Sequence, residues 1–453
     1  MEGFSTGISH ERDMMQEYGD IHPLALAFTL ASGFLMLLLP RRAALVPLIF
    51  AVVFIPIQQR VIIASLDFFI LRILVLLGWV RVIIRSEHQE MKLNRIDKLM
   101  LLWTFSSVVV YSLLWQTSGA LVNRLGTSFD IIGVYFLTRF LVRSMDDVLW
   151  VAKTLAVAAI PVALAMLVER QTGRNLFSIF GGVPEYTIVR EGKLRCQGAF
   201  SHPITAGSFS ASLLPLFVAA RNLNGRSLLM YFGIAAATLI TISTSSSGPA
   251  LAYLAGVIGI FLWHYRKHMR VIRWGFVFTL LGLHMVMKAP VWALMLKVKI
   301  FGASTAFHRY RLFDQFVNRV GEWWLLGVQS TASWGYYLFD VTNHFIRIAV
   351  DGGMITLALF IAILAYCFQS AGRAVKSGYL KPGHDKVAWA LGVSLFVHVV
   401  AFFGVSYFDQ VKVILYMNLA MLAAVRSLTE EEKRLAAQVA PVSAIGAEGT
   451  SRA

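Results

Sequence analysis

Long apolar runs occupy most of this chain of 453 residues. Hydrophobic residues make up 57% of the sequence and charged residues only 15%, and the mean hydropathy is +0.66. So few charges could not cover the surface of a water-soluble domain. Runs such as LALAFTLASGFLMLLL (24–39) do not alternate polar and apolar residues, which argues against a transmembrane β-barrel. The sequence therefore predicts an all-α, polytopic transmembrane helical bundle with about 12–13 spans.

The predicted spans are separated by connectors that are basic on one side of the membrane. The spans are 24–39, 43–57, 66–84, 99–115, 128–142, 148–168, 204–220, 228–246, 249–264, 272–288, 344–367, 388–407 and 410–425. The basic connectors are Arg41/Arg42, Arg81 to Lys98, Arg221 to Arg226, 266–273, Arg373 to Lys386 and Arg426 to Arg434. All of these fall on one side, which the positive-inside rule identifies as cytoplasmic.

The two ends of the chain follow from this topology. The tail 1–23 is acidic, shows no signal peptide and is predicted to lie outside, whereas the tail 426–453 is predicted to be cytoplasmic. Beyond Glu430 we expect a frayed helix that ends in disorder. The net charge of +16 is mostly the cytoplasmic excess, so no nucleic-acid partner is needed to explain it. Cys196 and Cys367 are predicted near opposite faces, where they cannot pair.

Two long connectors are basic although they are predicted to lie outside. They cover residues 169–203 and 288–343, and each carries more Lys and Arg than Asp and Glu. The positive-inside rule does not call for this excess on the far side of the membrane, so it indicates an anionic ligand there. The alternative is that long loops tolerate any charge, because the topological rule acts mainly on short ones.

A helix over 307–322 is predicted within the second of these connectors. Its apolar stripe consists of Tyr310, Phe313, Phe316, Val317 and Val320. Arg309 falls in the middle of that stripe and is predicted to point into whatever the helix covers. Its partner is then either a core carboxylate or lipid headgroup, or a phosphate that the guanidinium grips through two hydrogen bonds.

A polar stripe stands at the start of the span that follows. If the helix begins near Asp340, then Asn343, His344, Arg347 and Asp351 lie with it on one face over three turns. A charged side chain inside a bilayer costs ~2.5–3.5 kcal/mol, so the stripe is predicted to line a hydrated funnel that opens outside. The structural alternative makes Asp340 the N-cap, pairs Arg347 with Asp351 and leaves His344 as an interior histidine.

Five motifs in the second half of the chain resemble one family. They are Arg195 with GAFSHP, TSSSG (244–248), HRYRLFDQ (308–315), WWLLG (323–327) and TNHFIRIAVDGG (342–353). In this order they resemble the bacterial O-antigen ligase and polymerase superfamily of membrane glycosyltransferases. Ser247 stands where many members carry Arg, and Thr342 stands where the family histidine is usual. This variant is more similar to the exopolysaccharide-polymerase branch.

The resemblance implies an activity and a location. A glycan carried on undecaprenyl pyrophosphate would be transferred to a glycan or lipid acceptor at the periplasmic face of the inner membrane. Transfer would invert the anomeric carbon and use no metal, nucleotide sugar or other cofactor. Such a protein contributes to O-antigen, lipopolysaccharide or exopolysaccharide synthesis and works beside polysaccharide-export machinery. The apolar spans would hold the polyprenyl chain.

The resemblance also implies roles for particular residues. Breaking the sugar–diphosphate bond places negative charge on the leaving group, which guanidinium groups stabilise. Arg195 and Arg309 are predicted to bind the diphosphate. The further predicted substrate-binding residues are Arg311, Asn343, Arg347, His202 and Arg72. His344 is predicted to be the catalytic base, with Asp340 as its alternative.

Other functions remain compatible with the sequence. A flippase for the same lipid-linked glycan would place charges along a path through both leaflets, whereas here the unexplained polar residues gather at the outer face. A noncatalytic scaffold of an export complex is the third possibility. Ligase and polymerase activities are not distinguished by these residues.

Two arginines lie inside predicted spans. Arg72, in the outer part of its span, is predicted to reach the pocket, and Arg139 is predicted to be structural.

Overall fold

The computed structural model describes residues 21–447, apart from 58, 64–65, 90, 224 and 298–303. Most of the predicted outside tail 1–23 lies outside the described residues, as does the end of the predicted tail 426–453. About 76% of the described residues are helical. The described α-helices are α1 Pro23–Leu38, α2 Leu45–Phe54, α3 Ile70–Ile84, α4 Arg95–Trp115, α5 Ser118–Leu141, α6 Met145–Thr172, α7 Pro203–Ala220, α8 Leu228–Ser243, α9 Ser247–Phe261, α10 Met269–Val286, α11 Ser304–Asn318, α12 Val320–Trp323, α13 His344–Ser377, α14 His384–Phe402 and α15 Asp409–Ala447.

Helices of membrane-spanning character form the body of the protein. Seven helical stretches of the described chain are long and apolar enough to cross a membrane, and one of them, 247–286, contains both α9 and α10. α1 and α8 are shorter apolar helices. Large apolar side chains such as Phe34 and Phe105 face outward and are 61% and 67% exposed, which suits contact with hydrocarbon. The prediction of an all-α, multi-pass helical bundle is confirmed.

The connectors of the bundle divide between two ends. The loop end consists of the described parts of 55–69, 116–117, 173–202, 244–246, 287–343 and 403–408. Hydrogen bonds join these connectors: Gln59 Nε2 donates to Phe180 O and Gln410 Nε2 donates to Ala199 O, each at 2.8 Å. The opposite end, here called the basic end, carries the connectors that the sequence predicted to be rich in Lys and Arg.

Two β-hairpins at the loop end were not predicted. Strand β1 (Arg60–Ile63) pairs antiparallel with β2 (Leu66–Phe69), so the predicted span 66–84 is wrong in its first turn and α3 begins only at Ile70. β-Branched residues in β1 favour an extended strand. Strand β3 (Ile188–Arg190) pairs with β4 (Lys193–Arg195). Between β3 and β4, Glu191 and Gly192 have φ of 53° and 71°, as a tight type I′ turn requires.

Two predicted helix boundaries also need correction. The helix predicted over 307–322 is α11, and α12 follows it separately after residue 319. The last span was predicted to end at residue 425, with a frayed helix beyond Glu430; the helix α15 itself is longer than that span and continues to Ala447. Polar residues after 425 therefore extend the helix beyond the apolar stretch from which the span was predicted.

Helix α13 is interrupted where the segment 324–328 docks against it. Gly353 has φ 67° and ψ −172° inside the helix, and Met354 N–H donates to Trp324 O at 2.8 Å. Val328 N–H donates to Val350 O, also at 2.8 Å. The break frees backbone groups of α13, and the docked segment satisfies them. This pairing joins two of the sequence motifs, WWLLG and the end of TNHFIRIAVDGG.

A buried ion pair stabilises the basic end. Asp97 is fully buried; its Oδ1 accepts from Tyr135 Oη at 2.7 Å and from Arg139 Nε at 3.1 Å. Its Oδ2 accepts from Asn94 N–H at 2.8 Å and completes a capping box at the start of α4. Arg139, which was predicted to be structural, is therefore paired within the core.

We expect Asp97→Asn to lower the free energy of unfolding by about 1.5–3 kcal/mol, because Arg139 loses a charged hydrogen-bond partner inside the bundle. Thermal unfolding of the purified protein in detergent would measure this loss. Glu185→Gln is the control, because Glu185 lies 4.0 Å from Arg174 in an exposed pair and should contribute less than about 1 kcal/mol. Equal unfolding temperatures for the two variants would contradict the prediction.

Candidate functional site

The β3–β4 hairpin holds Arg195 at the loop end. Arg195 Nη2 donates to Ser246 Oγ at 2.6 Å, and Ser246 Oγ donates to Thr244 O at 2.9 Å. The next residue, Cys196, donates its backbone N–H to Ser243 O at 3.1 Å, which fixes the hairpin to the turn between α8 and α9. Arg195 is only 8% exposed. Its guanidinium group is therefore fixed in direction.

Arg309 reaches the same region from α11. Its Nη2 donates to Gly404 O at 3.1 Å, in the turn between α14 and α15. The same Nη2 lies 3.9 Å from the position that a Cβ on Gly248 would occupy, in the first turn of α9. Its Nε is buried and has no hydrogen-bond partner among the described residues. The side chain points inward, as the apolar stripe of the helix predicted.

Arg195 and Arg309 thus converge on the N-terminus of α9. Ser246 is the N-cap of this helix, but its side chain makes no capping hydrogen bond to the helix backbone. The first N–H groups of a helix have no partner within the helix, and they give its N-terminus a partial positive charge. Two guanidinium groups beside such an N-terminus form an anion-binding arrangement.

Among the described residues, no carboxylate balances these two cations. Burial lowers the pKa of Arg195, and the nearby Arg190 lowers it further; the same two causes lower the pKa of Arg309. Within the described chain, no ion pair joins either guanidinium group to an acidic side chain. A buried charge without a partner costs several kcal/mol. The site therefore lacks negative charge, and a bound anion would supply it.

His202 contributes a hydrogen-bond donor beside this site. It is the N-cap of α7, and its Nδ1 accepts from Ile204 N–H at 3.1 Å. Burial lowers the pKa of His202 to about 4, with Arg195 and Arg190 lowering it as well. At neutral pH the ring is neutral, and because Nδ1 is an acceptor, the proton is on Nε2.

The polar stripe predicted from Asp340 to Asp351 is divided by the start of α13. Asn343 is the N-cap, and its Oδ1 accepts from Phe345 N–H at 2.9 Å and Ile346 N–H at 3.2 Å. Asp340 therefore precedes the helix, so both its predicted position on the stripe and its alternative role as N-cap are wrong. The backbone carbonyl of Asp340 contacts His308 Nε2 at 3.0 Å. Asp340 therefore lies beside α11, against the residue that precedes Arg309 in the chain.

His344, the predicted base, is enclosed in the bundle. It is 7% exposed, and its Nδ1 accepts from Tyr407 N–H at 3.2 Å. A backbone N–H can only donate, so the ring is neutral and its proton is on Nε2, which has no partner among the described residues. Tyr407 Oη lies 2.8 Å from His398 Nδ1. In this arrangement the Nδ1 lone pair of His344 is occupied by the Tyr407 N–H, and Nε2 already carries a proton, so the ring cannot accept a proton. The role of His344 as the base stays a prediction, and it requires the Tyr407 hydrogen bond to break.

The remaining predicted cations belong to a second group. Arg347 Nε lies 3.1 Å from Asp351 Oδ2, and Arg124 Nη1 lies 3.5 Å from the same oxygen. The pair Arg347–Asp351 therefore forms as the structural alternative proposed. Arg72, which was predicted to reach the pocket, instead pairs with Asp130 at 3.1 Å. The structure does not bring these residues together with Arg195 and Arg309.

Arg311 also lies apart from the two converging arginines. Its guanidinium group stacks over Phe307 at 5.8 Å, and its Nη2 lies 2.6 Å from the position that a Cβ on Gly335 would occupy. Three further residues at the site were not predicted individually: Arg190, Ser246 and Gly404. Arg190 belongs to the basic loop and Ser246 to the motif TSSSG, so both had a signal in the sequence. Gly404 had none and reaches the site only through a long-range contact.

Comparison with known proteins gives no assignment. No family model matches this chain, and no curated protein matches it. The resemblance of the five motifs to the O-antigen ligase and polymerase superfamily therefore stays a prediction.

Proposed function

We propose that this protein is an integral-membrane glycosyltransferase that transfers a glycan from a polyprenyl diphosphate. It either polymerises the lipid-linked repeat units or ligates the glycan to another acceptor. The observation that supports this most is the convergence of Arg195 and Arg309 on the N-terminus of α9 without a balancing carboxylate. A diphosphate matches such a site in charge and in hydrogen-bond acceptors. The apolar helices around it suit the polyprenyl chain.

The proposed reaction is a single displacement at the anomeric carbon. The acceptor hydroxyl oxygen forms the new bond to this carbon while the bond from the carbon to the diphosphate oxygen breaks. The electron pair of the broken bond leaves with the diphosphate, on which negative charge grows in the transition state. Arg195 and Arg309 donate hydrogen bonds where that charge develops. The displacement inverts the configuration of the sugar.

The hydroxyl proton needs an acceptor during the transfer. Of the two predicted bases, Asp340 is exposed at the loop end and lies beside α11, whereas His344 is enclosed and its Nδ1 is occupied. A base must come within hydrogen-bond reach of the hydroxyl group. We therefore assign the proton to the Asp340 carboxylate in the resting arrangement, with His344 as the alternative once the Tyr407 contact opens.

The proposal includes a location and a topology. We place the protein in the bacterial inner membrane with about thirteen spans, the N-terminus outside and the C-terminus inside. The loop end then faces the periplasm, and the two long connectors form periplasmic loops. The basic end faces the cytoplasm, where the positive-inside rule favours Lys and Arg.

Purified full-length protein in liposomes, supplied with a labelled undecaprenyl-pyrophosphate repeat unit, tests the activity. We expect the label to move into longer lipid-linked chains, or onto a second lipid acceptor where one is added. Transfer should release the diphosphate lipid in equal amount. The first product would identify a polymerase and the second a ligase.

The same liposomes distinguish transfer from transport. A flippase would move the labelled lipid between the leaflets and leave its chemical structure unchanged. Unchanged substrate in both assays, with and without the acceptor, would reject the proposed glycosyltransferase. Empty liposomes and liposomes with the Arg309→Ala variant are the matched controls.

A further inference from the structure

A buried carboxylate lies at the base of the hairpin that carries Arg195. Glu169 stands near the end of α6 and is 1% exposed. Within the described residues no cation forms an ion pair with this carboxylate. A buried charge without a cation requires hydrogen bonds that replace its lost hydration. The donors that contact Glu169 therefore indicate which part of the fold the carboxylate holds.

Three donors converge on Glu169 from both ends of the β3–β4 hairpin. Thr187, the residue before β3, donates its Oγ1–H to Oε1 at 3.1 Å. After β4, Gln197 N–H donates to Oε1 and Gly198 N–H donates to Oε2, both at 3.0 Å. Two successive backbone N–H groups form a small anion-binding concavity, and the carboxylate fills it. Glu169 thus closes the base of the hairpin.

The same contacts fix the chain directly after Arg195. In the hairpin Arg195 pairs with Ile188. The three residues that follow Arg195 all donate their backbone N–H groups: Cys196 donates to Ser243 O at 3.1 Å, and the next two donate to Glu169. Two of these three hydrogen bonds end on one carboxylate, so the direction of Arg195 depends on it.

Gly198 is held from two sides in this segment. Its N–H donates to Glu169, and its carbonyl accepts from Asn175 Nδ2 at 2.8 Å. Asn175 is itself 2% exposed. The φ of Gly198 is 59°, a left-handed conformation that favours glycine. Buried side chains therefore select a single conformation for the segment that follows Arg195.

A carboxylate can satisfy all three donors, whereas a carboxamide cannot. An ionised Glu169 accepts with both of its oxygens, but glutamine has one acceptor oxygen and an NH2 group that only donates. In either orientation of a glutamine at this position, a backbone N–H would face that NH2 group. The charge of Glu169 is directed at these donors, and within the described chain it forms no ion pair with Arg195. The guanidinium group is thus held without a counter-ion.

We propose that Glu169 is a positioning residue of the Arg195–Arg309 site. It holds the hairpin in the orientation in which the Arg195 guanidinium group reaches the N-terminus of α9, and it leaves that group unneutralised. The inference rests on the proposed function, in which Arg195 binds the diphosphate of the glycan donor. Glu169 touches neither the substrate nor the reacting atoms, so its effect on binding passes through Arg195.

Equilibrium binding tests this inference without depending on catalysis. The probe is radiolabelled undecaprenyl diphosphate, and the purified full-length protein is held in nanodiscs of zwitterionic lipid. We expect Glu169→Gln to raise the Kd of the probe by about tenfold. Glu185→Gln is the matched control and should keep the wild-type Kd, because Glu185 belongs to the same connector and its side chain is 55% exposed. A smaller folded fraction would lower the number of binding sites and leave the Kd unchanged, so the Kd reports positioning and not folding.

A double-mutant cycle tests whether the effect passes through Arg195. Arg195→Ala removes the group that Glu169 positions, so adding Glu169→Gln to it should change the Kd by less than about twofold. An effect of about tenfold that persists in the Arg195→Ala background would mean that Glu169 acts on the fold in general, and it would overturn the inference.

Thr187→Val is the second variant, because it removes one of the three donors and keeps both the charge of Glu169 and the shape of the side chain. We expect it to raise the Kd by about threefold, again only while Arg195 is present. If Glu169→Gln does not accumulate as folded protein, a wild-type Kd in Thr187→Val would overturn the inference.

The outcomes separate this inference from the proposed function. A wild-type Kd in Glu169→Gln would reject the positioning role and leave the proposed function standing. The expected coupling to Arg195 without glycan transfer in the liposome assay would support the positioning role and count against the proposed function. Absence of probe binding by the wild-type protein would reject the donor site, and both proposals with it.

Discussion

Arg309→Ala is expected to abolish glycan transfer without lowering the amount of protein in the membrane. Removing one pre-placed donor from a developing negative charge typically reduces turnover by about 10²–10³-fold. The fold should tolerate the change, because Arg309 forms no ion pair in the described chain and its Nε is buried without a partner. The liposome assay measures the first effect, and immunoblotting of membranes measures the second. We expect the same result for Arg195→Ala.

The lysine variant tests the geometry of the interaction and not only its charge. Arg309→Lys keeps one positive charge but replaces the planar fork of donors by a single ammonium group, so we expect a loss nearly as large as in the alanine variant. Arg319→Ala is the control, because Arg319 lies just after α11 and pairs with the exposed Glu322 at 3.0 Å. Wild-type product from both Arg309→Ala and Arg195→Ala would refute the site.

The inward direction of Arg309 was predictable because it depends on one helix alone. Once 307–322 is read as a helix, the period of 3.6 residues places Arg309 among the apolar side chains. The long apolar runs predicted most of the spanning helices for the same reason. Such patterns are local, and the bilayer leaves the backbone few alternatives to the helix.

Features that depend on contacts between distant segments were not predictable. The structural alternative predicted from the sequence made Asp340 the N-cap, whereas the helix begins after Asn343, whose side chain caps it. The strand β2 is short and three of its four residues are apolar, so it could not be told from the first turn of a span. Gly404 carries no chemical signal, and Ser246 was predicted only as part of the motif TSSSG. Their roles depend on the fold, which places them against Arg309 and Arg195.

Gly353→Ala is expected to destabilise the protein severely, by more than about 4 kcal/mol. Its φ of 67° and ψ of −172° lie in a region that is almost restricted to glycine. A Cβ at this position would also overlap the backbone carbonyl of Leu325, which cannot move without undocking the segment 324–328. Because that segment pairs with α13 on both sides of the break, we expect its hydrogen bonds to be lost together.

Gly372→Ala separates this local effect from a general effect of alanine in α13. Gly372 lies in the same helix with ordinary helical geometry, and nothing lies within 4 Å of the position of its Cβ. Alanine there should leave stability unchanged or raise it by up to about 1 kcal/mol, because alanine favours the helix. Thermal unfolding in detergent and protein abundance in membranes would compare the two variants. If Gly353→Ala unfolded at the wild-type temperature, the break in α13 would not be a fixed part of the fold, and the docked segment would not stabilise the loop end.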